Sequence, residues 1–314
     1  MLPMTQARGA CPQCGSADFT VGRMDLLSCV VCGIVLSPVV WQSDAAAELE
    51  RDWFGGGYCA GRSRWEGAFE ALNNRRTLKR LRRLALRGRR LLEVGVGSGS
   101  LLAAARAAGF DVVGCDLSPD ICESVKRAYG VPVVPGAIED VEGQGRFDVI
   151  VANHVLEHVS DPLVFLNAVR RLLAGGGICH LAVPNIGCPE AALSGWGSYE
   201  PYHLLYFTPA TVSALVANAG LRVFSVSTHE SFSGYFVAVS RTLLGVRLDR
   251  RGTWQAARGA SRRFSALQHI YRGAMVVVGS ALCPVRLVQG LAGLGDEIVC
   301  IAQEPATEDR SNVR

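Results

Sequence analysis

The chain has 314 residues, of which 49% are hydrophobic and 19% are charged. This length predicts roughly two domains of about 150 residues each, and the apolar content excludes a disordered chain. A formal net charge of +4 excludes a histone-like polycation, but the charge is unevenly distributed. Residues 75–90 hold nine basic and no acidic residues, and residues 241–272 hold eight arginines and one aspartate.

The sequence shows no secretory signal, since its first ten residues lack an apolar core. The longest apolar stretch near the C-terminus, residues 274–285, is too short to span a bilayer. With eleven cysteines and no visible export signal, we expect a reducing, cytoplasmic environment. Paired cysteines in that environment indicate a metal site more often than a disulfide.

Four cysteines near the N-terminus form two C-x-x-C pairs, Cys11 with Cys14 and Cys29 with Cys32. Two such turns aim four thiolates at one point, which is the ligand set of a closed tetrahedral zinc site. The spacing predicts a zinc ribbon over residues 1–42, with strands at 19–27 and 34–40. The alternatives are four unpaired buried cysteines, or a redox C-x-x-C pair, for which no βαβ pattern is present.

Two segments follow the predicted ribbon. Residues 43–65 combine three consecutive glycines with aromatic residues, and this composition predicts a linker or an active-site lid. Residues 66–86 have apolar positions at helical spacing, with arginines on the other face. We interpret this basic face as solvated, and RNA contact is the alternative.

Residues 91–100 form the most informative segment, in which a short apolar strand runs into the glycines Gly95, Gly97 and Gly99. A helix at 101–108 and a second strand at 111–115 follow, and that strand ends at Asp116. This order predicts a nucleoside ligand, with the carboxylate on the ribose hydroxyls. Ser100 occupies the last position of a G-x-G-x-x-G reading, and no G-K-[ST] motif is present, so dinucleotide and P-loop sites are disfavoured. An ordinary glycine turn is the alternative.

The segments LLEVGVGSGS, GCDLSP, FDVIVANHVLEHVSDP and RRLLAGGGICHLAVPN together resemble class I S-adenosylmethionine-dependent methyltransferases. The resemblance covers about residues 66–230, with a returning strand near 296–303, in the style of ubiquinone-type and sugar methyltransferases. It implies an α/β fold with a Rossmann-like seven-stranded sheet and helices on both faces. The implied cofactor-binding residues are Glu93, Gly95, Gly97 and Gly99 at the methionine end, Asp116 on the ribose, Leu117, Ile138 and Glu139 around the adenine, and Asn153 and His154 at the reactive end.

Three histidines are candidate general bases for removing a proton from the methyl acceptor: His154, His158 and His203. His154 and His158 lie in an H-x-x-E-H segment, which also matches an inverted zinc-peptidase motif. A strand precedes this segment and another helix starts at Asp161, so we reject that reading. Asn153 replaces the leading acid of family members that bind a divalent metal here. His203 lies in a segment resembling one that borders the substrate pocket, and a structural hydrogen bond is the alternative for each histidine.

The C-terminal part is predicted to contain a helix at 208–219 and strands at 221–226 and 297–302. A helical insertion at about 240–294 interrupts the domain 66–304, and residues 305–314 form a tail. The insertion is expected to cap a substrate pocket, form a dimer face or lie on a membrane surface.

Three functions are consistent with these features. The first is methyl transfer to an oxygen or carbon of a small molecule, such as a secondary metabolite, sugar or lipid-linked intermediate. The second is a zinc-ribbon RNA methyltransferase, favoured by the ribbon and the basic helix. The third is a non-catalytic scaffold, against which the intact glycines and Asp116 argue.

Overall fold

The computed structural model describes residues 9–41, 64–84, 88–200, 202–229, 234–243, 277–279 and 281–305. Its strands are β1 Phe19–Val21, β2 Leu27–Cys29, β3 Val35–Leu36, β4 Arg90–Val94, β5 Asp111–Asp116, β6 Val133–Pro135, β7 Phe147–Asn153, β8 Leu173–Pro184, β9 Leu205–Tyr206, β10 Arg222–His229 and β11 Glu297–Gln303. Its α-helices are α1 Arg64–Arg83, α2 Ser100–Ala107, α3 Pro119–Tyr129, α4 Pro162–Leu172, α5 Pro209–Asn218, α6 Gly234–Leu243 and α7 Cys283–Leu291.

The larger sheet has seven strands in the order β10-β11-β8-β7-β4-β5-β6. The pairs β4–β5, β4–β7, β5–β6 and β7–β8 are parallel. Strands β4 and β7 are central and almost entirely buried, as expected for a parallel sheet. The predicted seven-stranded α/β fold is therefore confirmed.

Local sequence signals set the helix ends. Helix α3 begins after Ser118, whose side chain accepts a hydrogen bond from the Ile121 N–H, and it ends at Gly130 in a left-handed conformation. Helix α4 begins at Pro162, and the Asp161 carboxylate accepts hydrogen bonds from the N–H groups of the first turn. These caps fix where the strand-to-helix loops begin.

The chain divides into two compact units. The glycine-loop unit comprises Ala47–Ala182, Ser213–Ser225 and Cys300–Arg314. Its core packs side chains of α1, α2 and α3 against β4, β5 and β7, among them Leu81, Leu91, Leu102 and Val149. The ribbon unit comprises Met1–Ala46, Val183–Val212 and Val226–Val299.

The ribbon unit contains a second, four-stranded sheet in the order β1-β2-β3-β9. Its strands are shorter than the predicted spans 19–27 and 34–40. A 3-10 turn at Arg23–Asp25 separates β1 from β2, and Met24 and Asp25 there have φ of 57° and 58°. Strand β3 ends before a 3-10 turn at Pro38–Trp41. Pro38 has no N–H group, so it cannot donate a hydrogen bond to a neighbouring strand.

Several predictions fall wholly or largely outside the described residues. The linker or lid at 43–65 is described only from residue 64, and the tail only at residue 305. Within the predicted insertion at 240–294, the described residues are 240–243, 277–279 and 281–294, and they include the end of α6 and all of α7. Among the described residues, no helix combines the length and apolar character that a membrane span requires.

Candidate cofactor and active site

The loop between β4 and α2 depends on glycine for its conformation. Gly95, Gly97 and Gly99 have φ of 71°, 49° and 72°, in the left-handed region where a Cβ atom is disfavoured. A Cβ on Gly99 would lie 2.5 Å from Val125 Cγ1, and one on Gly95 would lie 2.7 Å from Val155 Cγ2. The loop therefore keeps its path only with glycine at these positions, and the lack of side chains would let a ligand approach its backbone closely.

Asp116 lies at the end of β5, beside the glycine loop. Its carboxylate accepts hydrogen bonds from the N–H groups of Gly97 at 3.3 Å and Ser118 at 3.0 Å. Burial raises the pKa of Asp116, and these N–H groups act in the opposite direction. Because Cys115 pairs with Val94, Asp116 lies beside the end of β4, the strand that leads into the glycine loop, as predicted.

Two buried polar atoms in this region lack a hydrogen-bond partner among the described residues, Glu93 Oε2 and Asn153 Oδ1. Glu93 is the fourth residue of β4, and Asn153 is the last residue of β7. Burial raises the pKa of Glu93 well above its ordinary value, and the carboxylates of Glu70 and Asp116 raise it further. Buried acceptors of this kind are rare, and they mark a place where a ligand can supply donors.

Helix α1 contributes two polar residues to the loop that sequence reasoning missed. Ser98 donates a hydrogen bond to the Glu70 carboxylate, and Asn74 Nδ2 donates to Ser100 Oγ at 2.7 Å. Glu70 and Asn74 are four residues apart, so they share one face of the helix. The available signal was an acid and an amide at this spacing in an otherwise basic helix.

The residues assigned to the adenine end differ in exposure. Leu117 follows β5 and is 54% exposed, whereas Ile138 is buried at the start of the 3-10 helix Ile138–Gln144. Glu139 is exposed. This part of the chain offers an apolar side chain at a surface, which suits the face of a base.

His154 follows Asn153 with φ of 54°, an uncommon conformation for a residue with a side chain. Its Nδ1 lies 3.0 Å from Glu157 Oε1, and the two side chains are 50% and 0% exposed. The His154 N–H donates to the carbonyl of Ala182 at 2.8 Å, which fixes the loop to β8. A half-exposed histidine is thus held by a fully buried carboxylate.

The other two histidines have different surroundings. The pKa of His158 is lowered, mainly because the side chain is buried. The Glu157 carboxylate acts in the opposite direction, and His154 lowers this pKa further. The structure brings His154 and His158 together around Glu157, but not on one helix, because α4 begins only at Pro162. Residues 154–158 form a turn, whereas the peptidase motif requires one continuous helix that presents both histidines.

His203 belongs to the ribbon unit, where it is 6% exposed. Its Nδ1 lies 2.8 Å from the carbonyl oxygen of Ser198, and its Nε2 lies 3.6 Å from Glu200 Oε2. Tyr202 donates a hydrogen bond to the same Glu200 carboxylate.

The four N-terminal cysteines converge as predicted. The Cys11 and Cys32 sulfurs are 3.6 Å apart, those of Cys14 and Cys29 are 3.5 Å apart, and all four lie within 4.8 Å of one another. A tetrahedral zinc site with Zn–S bonds of about 2.3 Å places its sulfurs about 3.8 Å apart, so the donor set fits zinc.

The backbone around the cysteines also fits a metal site. Gly15 and Gly33 have φ of 74° and 76°, and they donate to the carbonyls of Cys11 and Cys29, which closes each knuckle. Burial raises the pKa of Cys29, but hydrogen bonds from the N–H groups of Cys32 and Val31, together with those from the Cys14 and Cys32 side chains, lower it to about 7. Backbone donors therefore surround sulfur atoms that a metal would bind as thiolates.

A family model described as a methyltransferase domain matches residues 65–226, just over half of the chain. The chain belongs to this family. The resemblance to class I S-adenosylmethionine-dependent methyltransferases is therefore confirmed, and the enzyme is a methyltransferase of that class.

Two relatives of this methyltransferase are named ubiquinone biosynthesis O-methyltransferase. The protein from Xanthomonas euvesicatoria pv. vesicatoria (strain 85-10) is 32% identical over 161 residues, covering 46% of this chain and 67% of the relative. The protein from Xanthomonas oryzae pv. oryzae (strain PXO99A) is 33% identical over 162 residues, with the same coverage.

The fold is similar to a solved methyltransferase structure. The Burkholderia thailandensis 1,6-didemethyltoxoflavin-N1-methyltransferase, with bound 1,6-didemethyltoxoflavin and S-adenosylhomocysteine, matches with a TM-score of 0.50 and 16% identity. The match covers 88% of this chain and 98% of that one. The likeness concerns the fold.

Proposed function

We propose that this methyltransferase transfers a methyl group from S-adenosylmethionine to a hydroxyl oxygen of a small molecule, with His154 as general base. The observation that carries the proposal is the acidic cluster beside the glycine loop. Glu93 and Asp116 are buried there, and the half-buried Glu70 accepts a hydrogen bond from Ser98 of the loop. When bound, S-adenosylmethionine supplies an electrophilic methyl group on a positively charged sulfonium. Its ammonium and sulfonium charges match these carboxylates.

The assignment of binding roles follows the position of each residue. Glu93 offers a buried carboxylate oxygen without a protein donor in the described chain, which suits an ammonium group. Asp116 presents a carboxylate at a strand end, where it accepts from two ribose hydroxyls. The full proposed set is Glu93, Gly95, Gly97 and Gly99 for the methionine end, Asp116 for the ribose, Leu117, Ile138 and Glu139 for the adenine, and Asn153 and His154 for the reactive end.

The choice of oxygen as the acceptor is supported by the relatives named as O-methyltransferases. A hydroxyl must lose its proton as the new bond forms, and histidine titrates close to neutral pH. Because Nδ1 of His154 interacts with the Glu157 carboxylate, Nε2 is the ring nitrogen that would accept the proton from the substrate hydroxyl. The buried Glu157 carboxylate fixes the ring and stabilises its protonated form, as in other histidine–carboxylate pairs.

His158 and His203 receive positioning roles in this proposal. Burial lowers the pKa of His158, which favours its neutral form and so disfavours a second positive charge beside His154. His203 has both ring nitrogens close to oxygen atoms of its own segment, Ser198 O and Glu200 Oε2, which suits a residue that orders a loop.

We also propose that Cys11, Cys14, Cys29 and Cys32 hold one structural zinc ion, since the four sulfurs already have nearly tetrahedral spacing. A site closed by four thiolates has no position for substrate. Its contribution is to the folding of the ribbon, which contains three short strands.

RNA remains the alternative substrate because α1 is strongly basic. Its exposed basic residues are Arg75, Arg76, Lys79, Arg82 and Arg83. Peripheral membrane contact through 241–294 is a further alternative, and α7 exposes Val285, Leu287, Val288 and Leu291. Salt-sensitive RNA binding or co-sedimentation with anionic vesicles would favour these partners.

The proposal is tested by supplying S-adenosylmethionine with a methyl label and panels of phenols, sugar nucleotides and transcribed RNA. We expect label on a hydroxyl of a small molecule. With the accepted compound, His154→Gln should lower kcat by about 10²- to 10⁴-fold. Its affinity for the cofactor, measured by calorimetry, should change less than about threefold, and higher pH should restore part of the rate.

His229→Gln, the same change in β10, serves as the matched control and should leave kcat unchanged. Transfer to RNA alone would contradict the proposed substrate class. A normal rate in His154→Gln, or an equal loss at every pH, would contradict the role of base.

A further inference from the structure

The zinc ribbon continues into a segment far along the chain. Strand β3 pairs antiparallel with β9, Val35 opposite Tyr206 and Leu36 opposite Leu205. The pairing extends by one bond, since the Ser37 N–H donates to the carbonyl of Leu204 at 2.9 Å. The ribbon is thus part of the same sheet as the residues that directly follow His203.

The position of β3 is tied to the second cysteine knuckle. Cys29 is the last residue of β2, and its N–H donates to the carbonyl of Ile34 at 2.9 Å. Cys32 lies in the turn between β2 and β3, three residues before Val35. Because the knuckle forms the turn of this hairpin, a metal bound there fixes the register of β3.

An aromatic cluster joins the ribbon to the same segment. Leu26, next to β2, packs in one buried cluster with Trp196, Tyr199 and Tyr206. The rings of Trp196 and Tyr199 are 4.9 Å apart in an edge-to-face arrangement, which favours one geometry. The ribbon therefore contacts the segment through side chains as well as through the backbone.

His203 lies inside this framework. Its ring stands edge-on to Tyr206 at 6.1 Å and to Tyr202 at 5.2 Å, and its Nδ1 is held by the Ser198 carbonyl. Tyr206 pairs with Val35 of β3, and the Leu204 carbonyl accepts a hydrogen bond from the Ser37 N–H. Strand β3 therefore anchors the residues on the C-terminal side of His203.

We propose that the metal-loaded ribbon is a positioning module of the methyltransferase, in which β3 holds the His203 segment, residues 196–200 and 202–207, in its working conformation. A two-residue strand such as β9 has little stability of its own and needs its partner. A ribbon of this size depends on its metal for folding, so metal loss releases the segment. The effect on methyl transfer rests on the proposed function and on the family resemblance, which implies that this segment borders the substrate pocket. The structural coupling does not.

The test separates the metal from the strand pairing. Cys29→Ser removes a metal ligand, whereas Ser37→Pro keeps all four cysteines and removes the N–H that bonds Leu204. Ser37→Ala is the matched control, since it keeps the N–H and loses only the hydroxyl. Each full-length variant is examined by amide hydrogen exchange, zinc content per chain and calorimetry with S-adenosylmethionine.

We expect both Cys29→Ser and Ser37→Pro to speed exchange at residues 202–207 by at least about tenfold, with Ser37→Ala unchanged. Ser37→Pro should keep one zinc per chain, and all three should keep the cofactor affinity. Against the accepted substrate, kcat/KM should fall at least about tenfold in the first two variants.

Unchanged exchange at 202–207 in Ser37→Pro, with zinc retained, would overturn the proposed coupling even if Cys29→Ser fails to fold. Faster exchange with an unchanged kcat/KM would uphold the coupling and overturn the placement of the segment beside the substrate. The two failures are therefore distinguishable.

Discussion

The glycine loop and the ribbon are built by opposite means. The loop, Glu93 and Asp116 come from two adjacent βα segments, so chain order alone brings them to one edge of the sheet. The ribbon sheet instead joins residues 35–36 to residues 205–206, and its order depends on four cysteines and an aromatic cluster.

The two regions are therefore sensitive to different kinds of substitution. The loop is constrained by backbone conformation, so a single added methyl group disturbs it. The ribbon depends on four convergent cysteines and on long-range contacts. In the proposed function, a zinc ion bound by these cysteines offsets the entropy cost of closing the long loops. Substitutions in one region should therefore leave the other largely intact, and this expectation is open to test.

The largest effect is expected for Gly99→Ala. The left-handed conformation costs a residue with Cβ about 1–2 kcal/mol, and overpacking against Val125 costs about 1–3 kcal/mol. Since the loop must move to relieve both, we expect the affinity for S-adenosylmethionine to fall at least about 100-fold in calorimetry. Zinc content should stay at one ion per chain.

Gly143→Ala is the matched control, because a Cβ there meets nothing within 4 Å. It should bind the cofactor normally. Unchanged affinity in Gly99→Ala would contradict the placement of the cofactor on this loop, and loss of zinc in that variant would show that the two regions are not independent.

An intermediate effect is expected for Glu93→Gln, with opposite signs for stability and binding. Burial raises the pKa of Glu93, so the ionised carboxylate opposes folding at pH values above the ordinary glutamate value of about 4.3. The cofactor-free variant should therefore unfold at a higher temperature than the native protein at pH 7. Its cofactor affinity should fall by about 10- to 100-fold, since the glutamine amide keeps an acceptor oxygen but lacks the negative charge that strengthens a hydrogen bond from a cation.

The pH dependence gives a second readout for Glu93. A cationic ligand favours the ionised carboxylate, so the affinity of the native protein should rise with pH through the raised pKa. Glu93→Gln should flatten this part of the profile, whereas Glu123→Gln, at an exposed position of α3, should not. A profile that is unaltered by Glu93→Gln would exclude Glu93 from the cofactor site.

Much of the glycine-loop unit could be predicted from sequence because its signals are local. A strand, a glycine turn, a helix and an acid follow one another within 26 residues, 91–116, and the structure reproduces that order. The four cysteines were predictable for the same reason, since each pair has the spacing of one knuckle.

The remaining features depend on contacts between residues distant in sequence. The sequence around Leu205 does not indicate that this residue pairs with Leu36 in a sheet, and a strand of two residues is too short to show a periodic pattern. The hydrogen bond that Ser98 donates to Glu70 and the one that Asn74 donates to Ser100 depend on how α1 packs, which its basic composition conceals. The roles of the cofactor and base residues stay predictions.

The smallest effect is expected for Tyr199→Phe, and it measures how separate the two regions are. The buried Tyr199 hydroxyl donates to the carbonyl of Ala191 at 2.6 Å, a bond whose loss costs about 0.5–1.5 kcal/mol. We expect a small fall in melting temperature, of about 1–6 °C. Tyr235→Phe, at a side chain that is 43% exposed, should show no fall.

Cofactor affinity decides what the Tyr199→Phe result means. If the ribbon cluster and the glycine loop are independent, calorimetry should give the same affinity for S-adenosylmethionine as in the native protein. A tenfold change corresponds to about 1.4 kcal/mol, which is nearly the whole cost of the lost bond. A change of that size would mean that the aromatic cluster and the cofactor site respond to the same conformational equilibrium, and the separation into two independent regions would then be wrong.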